Sequence, residues 1–260
     1  MRIAICVKKD IYGLLSARVL ASALSFTQLR FFCSVKTRDT ENAVPALRLM
    51  KLLERDVAIE ALAAQQLDMP DIPHPDAWVP LSDLRADGGA RTLLDFRPDI
   101  VISARFSLIF PQRVIDAVPR GIINVHPGTL PHYRGLFAPF WQILHGEPEL
   151  GCTVHLVDRG IDTGPILGIA RVPFEPARSL MWHTAALYRS GVRIAADAAS
   201  ALARGVPPDT TVQPAAGSYF RFPATEDFAA LRVRLSSPLD YAALLEEAFL
   251  PSGAMRAHAA

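Results

Sequence analysis

Apolar residues fall into two patterns along the chain. Some form short continuous runs. Others recur every three or four positions. Continuous runs of four to eight residues fit strands buried on both faces, and the second pattern fits amphipathic helices. The runs Ile3 to Val7, Phe31 to Val35, Asp99 to Ser103 and Ile122 to His126 predict central strands. Leu14 to Leu24 predicts a helix, and Ala43 to Gln66 one long or two shorter ones. Arg91 to Phe96 and Pro111 to Ala117 predict short helices. Asp68 to Pro80 holds four prolines and is expected to be irregular, with a short strand near Trp78-Val79.

Further on, Cys152 to Val157 alternates polar and apolar residues, and Pro165 to Val172 supplies a last strand. Ser179 to Ala203 is Ala-rich and predicts a long helix, with Ser179 as N-cap and Gly205 as the stop. Strands alternating with helices predict an α/β fold: a Rossmann-like, mostly parallel sheet with helices on both faces. The pattern changes at Val206. Pro207-Pro208 and Gln213 to Gly217 read as a linker or crossing segment, and Tyr219 to Pro223 is aromatic and basic. Two amphipathic segments follow, Glu226 to Leu235 and Asp240 to Phe249; Pro251 to Ala260 is expected to fray. The expected division is therefore a domain over 1–205 and a small helical appendage over 206–260.

Composition narrows the function. The chain has 260 residues, half of them hydrophobic, and a formal charge of +1. That is ample for one large core, and it creates no global field favouring nucleic acid or an acidic membrane. No apolar run approaches the roughly 20 residues of a membrane-spanning helix. The N-terminus meets charge at Lys8, too soon for a signal peptide. Cys6, Cys33 and Cys152 lie far apart inside apolar runs, which is neither a disulfide framework nor a zinc spacing. They predict buried thiols in a reducing, cytoplasmic setting.

Polar residues at the ends of two runs carry the candidate chemistry. Asn124 and His126 are two apart on a strand, so they project to one face. Pro127, Gly128 and Pro131 then force an irregular loop. The second run ends in Asp158-Arg159-Gly160-Ile161-Asp162-Thr163-Gly164-Pro165, a Gly-rich loop with two carboxylates. Thr153 and His155 share one face of the strand before it. Sites in open α/β sheets form outside strand carboxyl ends. Taken singly, the same residues read as ordinary structure: a strand-end pair bonding a loop, a turn residue before Gly164, a solvated Asp158. His126, His132, His145 and His155 show no zinc-ligand spacing, so no metal is expected.

Together these motifs resemble the formyltransferases that use 10-formyltetrahydrofolate. The matching residues are Asn124-Val125-His126-Pro127, Leu130-Pro131-His132-Tyr133-Arg134-Gly135, Gly151-Cys152-Thr153-Val154-His155 and Asp162-Thr163-Gly164. The resemblance implies 10-formyltetrahydrofolate as co-substrate and Asn124, His126 and Asp162 as catalytic residues. Side-chain chemistry agrees. Asn124 and His126 offer N–H donors for an oxyanion, and Asp162 is a proton acceptor. Apolar enclosure is expected to raise the pKa of Asp162. The resemblance also implies a pterin pocket between Phe106, Leu108 and Ile109 on one side and Gly160, Ile161 and Thr163 on the other. Acceptor contacts are expected from Lys8, Tyr12, Tyr133, Arg134 and His155. Phe137, Phe140 and Trp141 lie at helical spacing and read as core.

The departures bear on the acceptor. Lys8-Lys9-Asp10-Ile11-Tyr12-Gly13 has one glycine where glycinamide-ribonucleotide transformylases carry a Gly- and Ser-rich phosphate loop. Methionyl-tRNA formyltransferases carry a C-terminal β-barrel, whereas the residues after the long helix here read helical. Both features argue for a small primary amine or hydroxylamine, of amino-sugar-nucleotide or hydroxylated-ornithine type, and against nucleic acid. Sugar N-formyltransferases share Pro139 and Trp141. Competing readings are a hydrolase of the same donor and a non-catalytic folate-binding protein of the same fold. Tyr219 to Phe222 is expected to pack on the catalytic domain or on a second subunit of a homodimer.

Overall fold

A computed structural model describes residues 1–35, 40–64 and 72–249. The expected end of the second helical stretch at Gln66, the start of the proline-rich segment at Asp68 and the frayed tail Pro251 to Ala260 lie outside the described residues. Among the described residues nine strands form: β1 (Arg2–Lys8), β2 (Gln28–Ser34), β3 (Val79–Leu81), β4 (Ile100–Ala104), β5 (Ile122–His126), β6 (Arg134–Gly135), β7 (Glu149–Leu156), β8 (Ile166–Pro173) and β9 (Tyr219–Phe220). The α-helices are α1 (Ile11–Ala23), α2 (Thr40–Ala43), α3 (Pro45–Lys51), α4 (Ala58–Ala64), α5 (Asp87–Leu94), α6 (Gln112–Ala117), α7 (Ala138–Leu144), α8 (Leu180–Ala203), α9 (Thr225–Ala230) and α10 (Pro238–Phe249).

The main sheet has the order β3-β2-β1-β4-β5-β7-β8. The first five strands are parallel, and β7 and β8 are added antiparallel. This is the expected mostly parallel sheet. Alternate residues of its strands feed two cores. Ile3, Ile5 and Val7 join α1, α8 and α10, whereas Ala4 and Cys6 face Ala90 and Leu93 of α5 and Val114 of α6. The strand order reverses beside β1, so the carboxyl ends of β1, β4 and β5 open a crevice. All three cysteines are buried, and burial pushes the Cys6 and Cys152 thiols up, so they act as inert hydrophobes. Among the described residues no helix is long and apolar enough to cross a membrane.

Several boundaries differ from expectation for local reasons. Helix α1 starts at Ile11, three residues early, because Asp10 Oδ1 caps the Gly13 N–H at 2.9 Å. Helix α5 starts at Asp87, and Gly88-Gly89, which resemble breakers, lie in its first turn. A side chain at Gly89 would strike the Asp83 carbonyl oxygen, so the glycine permits close packing. Between α3 and α4 the chain widens into a π-helix, Leu52–Val57.

The C-terminal residues pack closely on the rest. Strand β9 pairs with β6, Arg134 with Tyr219 and Gly135 with Phe220. Helix α10 buries Leu244 and Ala248, and Tyr241 donates its hydroxyl to the Leu53 carbonyl at 2.6 Å. Asp240 fastens α10 to the start of α8. It accepts from the buried Ser179 N–H at 2.7 Å and from Arg178 Nη1 at 3.0 Å. Burial works to raise the Asp240 pKa, but the bonds from Ser179, Arg178 and Ser237 outweigh it and hold the carboxyl below its usual range. A depressed folded-state pKa adds stability above the unfolded value of about 3.9, and that stability is lost as pH falls. Asp240→Ala is expected to cost about 1–3 kcal/mol at neutral pH, by leaving a buried N–H unpaired. Urea midpoints should show the gap between variant and wild type narrowing at pH 3.

Candidate active site

Strand β5 delivers Asn124 and His126 to the crevice, and its antiparallel partner β7 sets His155 opposite Asn124 and Thr153 opposite His126. The loop after β7 returns Asp162 between the two histidines. Asp162 Oδ2 lies 3.6 Å from His126 Nδ1, and Oδ1 lies 3.6 Å from His155 Nε2. Asp162 has φ 54°, a left-handed backbone that aspartate enters more readily than most non-glycine residues and that contacts to its side chain help to hold. The Gly135 N–H, donating to Asp162 Oδ2 at 2.8 Å, is one such hold. Gly135 itself has φ 97°, and a Cβ there would strike the Phe220 carbonyl oxygen. β6 and β9 can pair closely only because this residue is glycine.

Partners define the proton positions. His126 Nε2 is 2.6 Å from the Tyr133 carbonyl oxygen, which can only accept, so Nε2 carries a proton and Nδ1 is left toward Asp162. His155 Nδ1 likewise donates to the Leu156 carbonyl at 2.8 Å, so Nε2 accepts from Asn124 Nδ2 at 3.1 Å. Asn124 Oδ1 accepts from Ser103 Oγ at 2.9 Å. The Asn124 amide is thereby held at both ends, with its second N–H spare. Gly128 lets the loop lie against the imidazole, since a Cβ would come 2.6 Å from His126 Nε2.

The expected rise in the Asp162 pKa is corrected. Burial does push it up, but His126 and His155 beside it and the Gly135 N–H together prevail and hold it well below the usual carboxylate range. Asp162 is thus ionised and a weak base. Among the described residues no three His, Cys, Asp or Glu side chains are grouped to hold a metal ion.

A cavity of about 270 Å³ opens over these groups. Asn124, His126, His155 and Asp162 line it, as do Phe106, Leu108, Ile109, Gly160, Ile161 and Lys8. Ile109 and Ile161 are large, apolar and nearly half exposed, and they stand among the lining residues. Four of the expected contacts lie elsewhere. Thr163 is off the wall, its Oγ1 donating to Asp158 Oδ1 at 2.7 Å, so it shapes the loop. Asp158 also accepts from Gly160 N and organises the turn. Tyr12 is fully buried against Tyr188, because the early start of α1 turns it into the core. Tyr133 sends its hydroxyl to Glu147 at 2.6 Å and its ring onto Phe220, so only its carbonyl serves the site. Arg134 reaches Gln213 Oε1 and the Pro214 carbonyl, both at 3.1 Å, and ties down the crossing segment.

Other wall residues were not anticipated. Phe137, with φ 60°, lines the cavity, although Phe140 beside it is core as expected. Tyr219 and Phe222 of the C-terminal segment line it too. Arg105 is clamped by Asp10 Oδ2 at 2.9 Å and Glu54 Oε2 at 2.5 Å, and it lies over the Tyr12 ring. The aromatic run Tyr219 to Phe222 did signal a packing segment, and Ser103 left a signal as a polar residue ending a strand run; Arg105 left none.

An open sheet thus brings an amide donor, an imidazole and an ionised carboxylate together at its strand ends. The chain belongs to the formyl transferase family, whose model matches residues 59–190. Methionyl-tRNA formyltransferase of Ralstonia pickettii (strain 12J) is 34% identical over 135 residues, 52% of this chain and 41% of that one. Methionyl-tRNA formyltransferase of Syntrophus aciditrophicus (strain SB) is 44% identical over 79 residues, 30% of this chain and 25% of that one. The matched segments thus span well under half of these relatives. Two solved structures share the fold along nearly the whole chain. A sugar N-formyltransferase from Shewanella sp FDAARGOS_354 has a TM-score of 0.58 at 18% identity, covering 97% of this chain and 89% of that one. The formyltransferase PseJ from Anoxybacillus kamchatkensis, in complex with UDP-4,6-dideoxy-4-formamido-L-AltNAc and tetrahydrofolate, has a TM-score of 0.56 at 16% identity, covering 96% and 98%.

Proposed function

We propose that the chain is a cytoplasmic N-formyltransferase that moves a formyl group from 10-formyltetrahydrofolate to the amine of a small molecule. Residues 1–205 are the catalytic domain in this reading, and residues from 206 on close its acceptor side. The observation that carries it is Asp162 poised between His126 and His155, with the Asn124 amide fixed beside them.

In this reading the groove takes the folate. Phe106, Leu108, Ile109 and Ile161 give it apolar walls. When bound, the co-substrate supplies an activated formyl amide. Asn124 Nδ2 and His126 Nδ1, when protonated, donate to the formyl oxygen as negative charge grows on it. Asp162 Oδ2, 3.6 Å from His126 Nδ1, orients the ring. The carboxylate's low basicity means that it does not strip a free ammonium. It takes a proton only from the amine nitrogen made acidic by bonding to the formyl carbon; that proton balances the one the tetrahydrofolate nitrogen gains as its own bond to the formyl carbon breaks. His155 accepts from Asn124 and keeps the amide from rotating.

The acceptor is a small amine in this reading, of amino-sugar-nucleotide or hydroxylated-amino-acid type. Relatives named for methionyl-tRNA share the family core, so that core does not choose the acceptor. Support comes from Tyr219 and Phe222, which bring the C-terminal segment onto the cavity wall. Phe222→Ala is expected to raise the acceptor KM about tenfold, the scale of one lost aromatic contact, with folate affinity unchanged.

The test is an assay of tetrahydrofolate release from 10-formyltetrahydrofolate with a panel of amino sugar nucleotides and hydroxylated amino acids. Amine-dependent release with a formamide product is expected. Release at the same rate without any amine would mean a hydrolase, and no release would leave only a folate-binding role.

A further inference from the structure

A second, smaller cavity of about 40 Å³ adjoins the first. It shares Lys8, Met50, Glu54, Arg105, Phe137 and Phe222 with the first cavity. These shared residues are those away from the folate walls, so the second cavity extends the acceptor side. Its further lining includes Lys51 and Arg55. Four cations and two carboxylates therefore line one small groove, and Arg105 binds both carboxylates, Asp10 and Glu54. Lys51 donates only to a neutral partner here, Asn42 Oδ1 at 2.9 Å, and Arg55 also pairs with Asp56 outside the groove. The lining is net positive. Glu54 is at its floor because the π-helix turns it inward, and Arg105 stands with φ 62°. π-turns and left-handed non-glycine residues gather at functional sites.

We propose that this groove holds a phosphate group of the acceptor. This rests on the formyl-transfer reading and chooses the phosphorylated, sugar-nucleotide type of acceptor over the amino-acid type. The size decides what enters: the groove suits one phosphate-sized group, not a whole nucleotide. The charge decides the sign. A phosphate, with up to two negative charges, takes charge-assisted bonds from Lys8, Lys51 and Arg55, whereas the single carboxylate of an ornithine-like acceptor brings with it an α-ammonium that would meet like charge. Glu54 and Asp10 fix the Arg105 fork beside it. The apolar faces of Phe137 and Phe222, 5.9 Å apart, form the wall between phosphate and reaction centre.

The experiment uses the full chain and isothermal titration with inorganic pyrophosphate, UDP, uridine and ornithine as probes. 5-Formyltetrahydrofolate is titrated in parallel. Pyrophosphate and UDP should bind, and uridine and ornithine should not. Tighter binding of UDP than pyrophosphate assigns the phosphate to a nucleotide; equal binding assigns it to a phosphate ester in general. Binding should weaken with added salt. Reversing two charges in Lys51→Glu/Arg55→Glu should weaken both ligands about tenfold or more, and the milder Lys51→Gln should weaken them less. Folate affinity should stay unchanged in both variants. A protein that binds 5-formyltetrahydrofolate but neither phosphate probe at millimolar concentration overturns the proposal, as does an unaffected charge-reversed variant or preferential binding of ornithine. Lys51-dependent pyrophosphate binding without folate binding would keep the anion site and remove the formyl-transfer reading.

Discussion

Asp162→Asn is expected to lower turnover about 10²-fold or more, the usual scale of general acid–base catalysis, while folate affinity changes only a few-fold. Asparagine keeps the shape and one oxygen for the Gly135 N–H. It loses the charge between His126 Nδ1 and His155 Nε2, each 3.6 Å from the carboxylate. The proton acceptor for the attacking nitrogen is then gone, and the carboxylate no longer orients the His126 ring. The same substitution changes the response to acid. The Asp162 pKa is depressed in the folded state, so its contribution to stability is present above about pH 3.9 and is lost as pH falls. The variant should lack that component, and its unfolding midpoint should fall less between pH 5 and pH 3 than that of wild type. Single-turnover kinetics with folate titrations and acid unfolding curves check both parts. Near-normal turnover would remove Asp162 from the mechanism.

What the sequence disclosed followed from interaction range. Asn124 and His126 sit two apart on one strand, and period two alone places them on one face. The parallel sheet and the Ser179 cap follow from patterns along the chain and were legible, although β2 and β7 each start three residues before the expected position. Contacts between distant segments were not. Arg105 meets Glu54 and Asp10 across 51 and 95 residues with no local mark in any of them; the aromatic Tyr219 to Phe222 marked a packing segment, but not the pairing of β9 with β6. Tyr12 was misread because its orientation depends on where α1 begins, and Asp10 moved that start by three residues. The Asp162 pKa was misjudged for a different reason. Burial was foreseen, but two histidines and a backbone N–H converge on the carboxylate only in the folded chain.

Asn124→Ala should cost about 10²- to 10³-fold in turnover, the range found when one oxyanion donor is removed from a preorganised site. Preorganisation is what makes this residue costly to lose. Its amide is pinned by Ser103 Oγ on one side and His155 Nε2 on the other, so no reorientation is needed when charge develops. Ser103 is 3% exposed and does not itself donate to the reacting carbonyl. It acts by positioning, and Ser103→Ala should therefore lower kcat by a smaller factor with acceptor KM unchanged. Ser103→Thr restores the hydroxyl and should recover most of the loss. A purely structural role for Ser103 would instead lower the unfolding midpoint and leave kcat of the folded fraction intact. If Asn124→Ala retains kcat within a few-fold of wild type, the stabilising donors lie elsewhere, and the His126 Nδ1 proton must carry the oxyanion alone.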